Sequence, residues 1–135
     1  MPLLRRNPTR LSGPGSRLEP CPDSPNCVCS DAPDKAHAIA PFRLAVPAAQ
    51  AWEAACAAVA SMPRTRIVTE SAEYLHAECT SAVFRFIDDL ELQLRAGEGI
   101  IAVRSASRLG YSDFGVNRHR VKQLHAVLAA RGVIC

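Results

Sequence analysis

The first residue that could carry chemistry is Asp88. Along Val83–Arg95 the side chains alternate, with Phe84, Phe86, Leu90, Leu92 and Leu94 on one face and Asp88 the one polar member among them. Arg85, Asp89, Glu91, Gln93 and Arg95 occupy the other face. Such a period of two predicts a long, half-buried antiparallel strand. Ala96-Gly97-Glu98-Gly99 is a turn, and Ile100–Leu109 returns beside it. Placing Leu94 opposite Ile101 sets Leu92 against Val103, Leu90 against Ser105 and Asp88 against Ser107, with Glu91 facing Arg104 as an ion pair on the far side. A slip of one residue would destroy both sets of matches. An aspartate facing a core costs several kcal/mol unless it is paired or hydrogen-bonded.

Asp88, Ser105 and Ser107 would thus meet at the end of the hairpin away from the turn. The loop that follows, Arg108 to Asn117, holds two glycines and several polar groups before a helix whose N-cap would be Asn117. Free N–H groups at a helix N-terminus attract anions, whereas Arg118 and Arg120 in the first turn oppose the helix dipole and call for a compensating charge. An internal acid, Asp88 or Asp113, could supply it; so could an anionic ligand. The candidate set is therefore Asp88, Arg104, Ser105, Ser107, Arg108, Tyr111, Asp113, Asn117 and Arg118. One reading is a buried network that ties the loop to the sheet. The other is a pocket for a small, anionic ligand in a non-enzymatic binding domain. An enzyme would use the same groups, with Asp88 or Asp113 as base and Arg104, Arg108 or Arg118 holding an anionic substrate. No phosphate loop or nucleophile–histidine pair accompanies them, so no catalytic residue or cofactor is assigned.

The six cysteines leave several chemistries open. Cys21, Cys27 and Cys29 lie close together, with His37 eight residues beyond. They could bind zinc, although the C-x2-C pairs usual in such sites are missing. They could instead include a disulfide between Cys21 and Cys27, or remain free thiols. Cys56 and Cys79 fall on core faces, and Cys135 ends the chain. The four histidines show no ligand spacing and are expected to be solvated.

The elements that must position these groups follow from the pattern. Phe42 to Val46 is a first strand, and Pro47 opens an alanine-rich helix whose Trp52, Cys56, Val59 and Met62 face a core until Pro63 ends it. Strands Thr65–Ser71 and Tyr74–Ser81 precede the hairpin, and Val121, Leu124 and Leu128 stripe a last helix that stops at Gly132. The order is β-α-β-β-β-β-α: an α+β fold, an antiparallel meander with two helices on one face, in the manner of TBP-like and helix-grip folds. A length of 135 residues suits one domain. Residues 1–20 are read as a disordered basic tail, and 21–135 as the domain, opening with a Cys/Pro loop.

The net charge of +3 resides in that tail. It holds Arg5, Arg6, Arg10 and Arg17 against Glu19, and without it the chain's 16 basic and 13 acidic residues reduce to 12 of each. A neutral domain with only 5% aromatics argues against nucleic acid. An interaction module would use the basic last helix and the arginine tail against an acidic partner or membrane surface. No apolar run is long enough to span a bilayer, and the first residues lack an apolar signal core, so a cytoplasmic location is expected.

Three segments together resemble the bacterial and plant family of the domain of unknown function numbered 1499. They are Cys21-Pro22-Asp23-Ser24-Pro25-Asn26-Cys27-Val28 with Ser30; Tyr74-Leu75-His76-Ala77-Glu78 leading to Phe84-Arg85-Phe86-Ile87-Asp88-Asp89; and Val103 to Asp113 continuing through Asn117-Arg118 and Arg120-Val121. The resemblance runs from about residue 18 to 131. It implies no activity and no catalytic residues. Members often carry a membrane or export segment before the cysteine motif, and in an exported relative a Cys21–Cys27 disulfide would be natural. Cys29 stands where the family usually has serine, which argues against a three-cysteine metal site.

Overall fold

The computed structural model describes residues 11–12 and 17–135. Six strands and two helices alternate as β1 (Cys27–Cys29), β2 (Phe42–Arg43), α1 (Ala48–Ala60), β3 (Thr65–Glu70), β4 (Tyr74–Thr80), β5 (Ile87–Arg95), β6 (Ile100–Ser107) and α2 (Val116–Ala130). The strands form one antiparallel sheet in the order β1-β6-β5-β4-β3, with β2 also pairing β6. The fold is α+β.

The β5–β6 register pairs Leu94 with Ile101, Leu92 with Val103, Leu90 with Ser105, Asp88 with Ser107 and Glu91 with Arg104. That is the pairing expected from matching apolar to apolar and acid to base. A single 3-10 turn, Ala96–Glu98, joins the strands, and Gly99 closes it at φ 68, where a side chain would be strained. Both helices pack against one face. Trp52, Cys56 and Val59 of α1 and Val121, Leu124 and Leu128 of α2 share a core with Leu75, Ala77, Leu90, Leu92, Ile101 and Val103.

Four expectations change. Cys27–Cys29, expected as loop, is a strand because the free edge of β6 supplies its hydrogen-bond partners. Residues 83–86 leave the sheet: Arg85 sits at φ 57, and Ser81 N–H donates to the Phe86 carbonyl, so the chain turns and Phe84 points outward. The face of β5 expected to be solvated is buried too, including Asp89, Glu91 and Gln93. A second small apolar cluster of Leu18, Cys29 and Ala102 explains part of that cover. The tail expected to be disordered over 1–20 lies mainly outside the described residues, but Leu18 is buried, its N–H donates to Asp31, and Ser12 donates to Glu91.

Candidate functional site

The expected site residues divide between the two faces of the sheet. On the helix-covered face, Asp88 is buried and accepts from Arg120 Nη2 at 2.8 Å. Arg120 Nη1 also donates to Ser105 Oγ at 3.1 Å and Asn117 Oδ1 at 2.8 Å, and Ser105 Oγ donates to the same Asn117 oxygen at 2.6 Å. Asn117 Nδ2 reaches Ser107 Oγ and Asp113 Oδ2. Asp88, Ser105, Ser107, Asp113 and Asn117 are therefore brought together, and Arg120 ties them. Because α2 begins at Val116, Arg120 lies on its second turn rather than its first, and the charge that compensates it is Asp88.

Asn117 does not cap the helix. Gly115, at φ 81, occupies the cap position, and Asp113 accepts from the N–H groups of Gly115 and Asn117. A carboxylate placed there offsets the exposed N–H groups of the first turn. Arg118 donates to the carbonyls of Ala36 and Ala38, so it pins the loop after β1. Tyr111 is exposed and stands apart from the cluster.

Arg104 and Arg108 lie on the opposite face, because alternation along β6 sends even and odd residues to different sides. There Arg108 donates to both oxygens of Asp89 at 2.8 Å and to Glu78 at 2.7 Å. His76, expected to be solvated, is 3% exposed and contacts Asp89 at 2.7 Å. Burial pushes the Asp89 carboxyl up, but the bonds from Arg108 and His76 outweigh it and hold the group below the usual carboxylate range. Arg108 lowers Glu78 through its hydrogen bond, and Arg95 does the same to Asp31. Glu91 accepts from Tyr74 Oη at 2.6 Å and pairs with Arg104 at 3.6 Å.

Cys21 and Cys27 are disulfide-bonded. His37 engages Asp34 and the Ser24 carbonyl with its two ring nitrogens, so the alternative thiol–imidazole ligand set is not assembled. Burial raises the Cys29, Cys56 and Cys79 thiols, Cys56 to about 12, which is the reverse of what a nucleophile needs.

A concavity lies elsewhere among the described residues. A solvent-open cleft of about 810 Å³ lies between the end of α1, one side of α2 and the β3–β4 end of the sheet. Ala58, Met62 and Pro63 form one wall, and Val116, Leu124 and Val127 the other. Arg64, His119, Arg120 and Arg131 also line it, and no aspartate or glutamate does. Asp88 balances Arg120, while Arg64 and Arg131 make no ion pair among the described residues. The volume falls within the range of small-molecule sites. Sequence reading missed this cleft because its walls come from three separate elements; the one available signal was the exposed Val116, Val127 and Arg131 on a single side of the last helix.

The sequence profile of the family described as "Protein of unknown function (DUF1499)" matches residues 17–128. The chain belongs to this family. The match includes the disulfide loop, the Asp88–Arg120 cluster and most of the cleft of this DUF1499 domain. No curated protein and no solved structure matches it. Among the described residues, no helix is long and apolar enough to cross a membrane.

Proposed function

We propose that the domain is a non-enzymatic binding module whose cleft accepts a small amphipathic anion, with a hydrocarbon body and a carboxylate or phosphate head. The cleft's composition carries the reading: its walls are apolar, its charged lining residues are all cationic, and Arg64 and Arg131 have no acidic partner. A hydrocarbon body would cover the walls, and the exposed Arg64 and Arg131 would favour an anionic head over a neutral one. The cluster of Asp88, Ser105, Ser107, Asp113 and Asn117 then serves as a rigid floor that fixes Arg120, rather than as the ligand contact itself. An enzyme built on the acidic and basic groups of 104–120 has less support. Asp88, Asp113, Arg108 and Arg118 are engaged by neighbouring protein groups, and the buried thiols are raised rather than activated.

The disulfide supports an oxidising compartment over the cytoplasm expected from the sequence. Calorimetric titration with dodecanoate and with dodecanol tests the cleft. Dodecanoate is expected to bind more tightly, and Ala126→Trp, on the exposed side of α2 within the cleft, to abolish binding. Arg131→Gln should reduce the preference for the acid by about tenfold. Absence of dodecanoate binding, or binding indifferent to Ala126→Trp, would overturn the proposal.

A further inference from the structure

Two loops at one end of the sheet carry aromatic side chains that the fold does not use. The β4–β5 loop holds Val83 and Phe84, which are 80% and 73% exposed. The β6–α2 loop holds Tyr111 and Phe114, which are 68% and 95% exposed. These loops are neighbours. Arg108 N–H donates to the Ile87 carbonyl where they leave the sheet, and Ser81 and Ala82 of the first loop line the same cleft as Val116, the residue of α2 that follows the second loop. Phe84 stacks on Phe86, with ring centroids 5.6 Å apart, so the first loop presents a preformed aromatic pair.

The charge around them is one-sided. Arg85 lies within the first loop, exposed and without an ion pair among the described residues. Arg64 and Arg131 stand at the adjoining cleft. The only acid in either loop is Asp113, whose oxygens are occupied by Gly115 and Asn117. Protruding apolar tips with an unpaired cationic surround suit the boundary between lipid headgroups and acyl chains, where aromatic rings insert and arginines meet anionic headgroups.

We propose that this end of the molecule docks on an anionic lipid bilayer, with Phe84 and Phe114 inserted and Arg85, Arg64 and Arg131 facing the headgroups. Docking would bring the mouth of the cleft to the membrane surface. It rests on the exposed loops and the arginines beside them, needs no ligand in the cleft, and so goes beyond the ligand reading, which could fail without it.

The test is co-sedimentation of the full chain with vesicles of phosphatidylcholine and with vesicles of phosphatidylcholine and phosphatidylglycerol in equal parts. Binding is expected to the mixed vesicles and not to the neutral ones. Phe84→Ser combined with Phe114→Ser should weaken it at least about tenfold, and because both side chains are exposed, thermal melting should stay unchanged. The basic tail is the competing source of vesicle affinity, so Arg5, Arg6 and Arg10 are replaced by Ser in a separate variant, which should lose less than the aromatic pair. A wild type that sediments with neither vesicle, an aromatic variant that binds like wild type, or a larger loss from the tail variant would each overturn the assignment. Partition is measured without dodecanoate, so loss of vesicle binding and loss of dodecanoate binding are read separately.

Discussion

Replacing Asp88 with alanine separates a structural role from a ligand-binding one. The carboxylate is the acidic partner of Arg120, and the two side chains are 10% and 13% exposed. Removing one member of a buried pair costs about 3–5 kcal/mol, because the remaining charge is left desolvated. Arg120 retains Ser105 Oγ and Asn117 Oδ1 and lines the open cleft, where water can approach it. The lower end, about 3 kcal/mol, is therefore expected. For a domain of this size that is roughly 12 °C in Tm. Urea unfolding followed by emission of Trp52, the chain's single tryptophan and buried against the core, measures it directly. Replacing both partners, Asp88→Leu with Arg120→Met, should recover most of the loss, since an apolar pair no longer strands a charge. Asp88→Ala that unfolds within about 0.5 kcal/mol of wild type but no longer binds dodecanoate would refute the structural assignment and make Asp88 a ligand contact.

Two further outcomes follow from the ionisable groups. Asp31, Glu78 and Asp89 all have carboxyls held below their ordinary values in the folded chain. Their stabilisation is complete above the unfolded values, near about pH 4, and is lost as pH falls through the lower folded values. The urea midpoint should hold from about pH 7 to 5 and fall below about pH 4, less steeply in Asp89→Asn; identical profiles for the two proteins would remove Asp89 as a contributor. Among the thiols, only Cys135 is exposed, while burial raises Cys29, Cys56 and Cys79 and the remaining two are bonded. Iodoacetamide on the native protein should add one adduct quickly, four when the protein is unfolded without reductant, and six with reductant; rapid native labelling of Cys29 or Cys79 would contradict the burial argument.

Much of the fold is legible in local pattern. Alternation on β5 and β6, with a glycine turn between them, admits only one register that buries leucine against valine and opposes Glu91 to Arg104. The helical stripes and the glycine after α2 are likewise local, because the apolar period and the left-handed conformation of Gly132 agree there. The convergence of Asp88, Ser105 and Ser107 follows from that register alone. What pattern could not decide is what each face of the sheet meets. Polar alternation at His76, Asp89, Glu91 and Arg104 looks like a solvated face, yet these residues are buried in mutual ion pairs beneath segments distant in sequence. The period-two signal also ran through Phe84 and Phe86, where Arg85 turns the backbone out of the sheet. The cleft exists only because the end of α1, a side of α2 and the edge of β3 and β4 stop short of one another. Residue order therefore determined both helices and the β5–β6 pairing, which depend on neighbours a few positions away, but not the strand Cys27–Cys29, whose partner β6 is distant in sequence. Burial of charge, the Asp88–Arg120 contact and the cleft depend on distant segments meeting in space, and only the tertiary structure decided them.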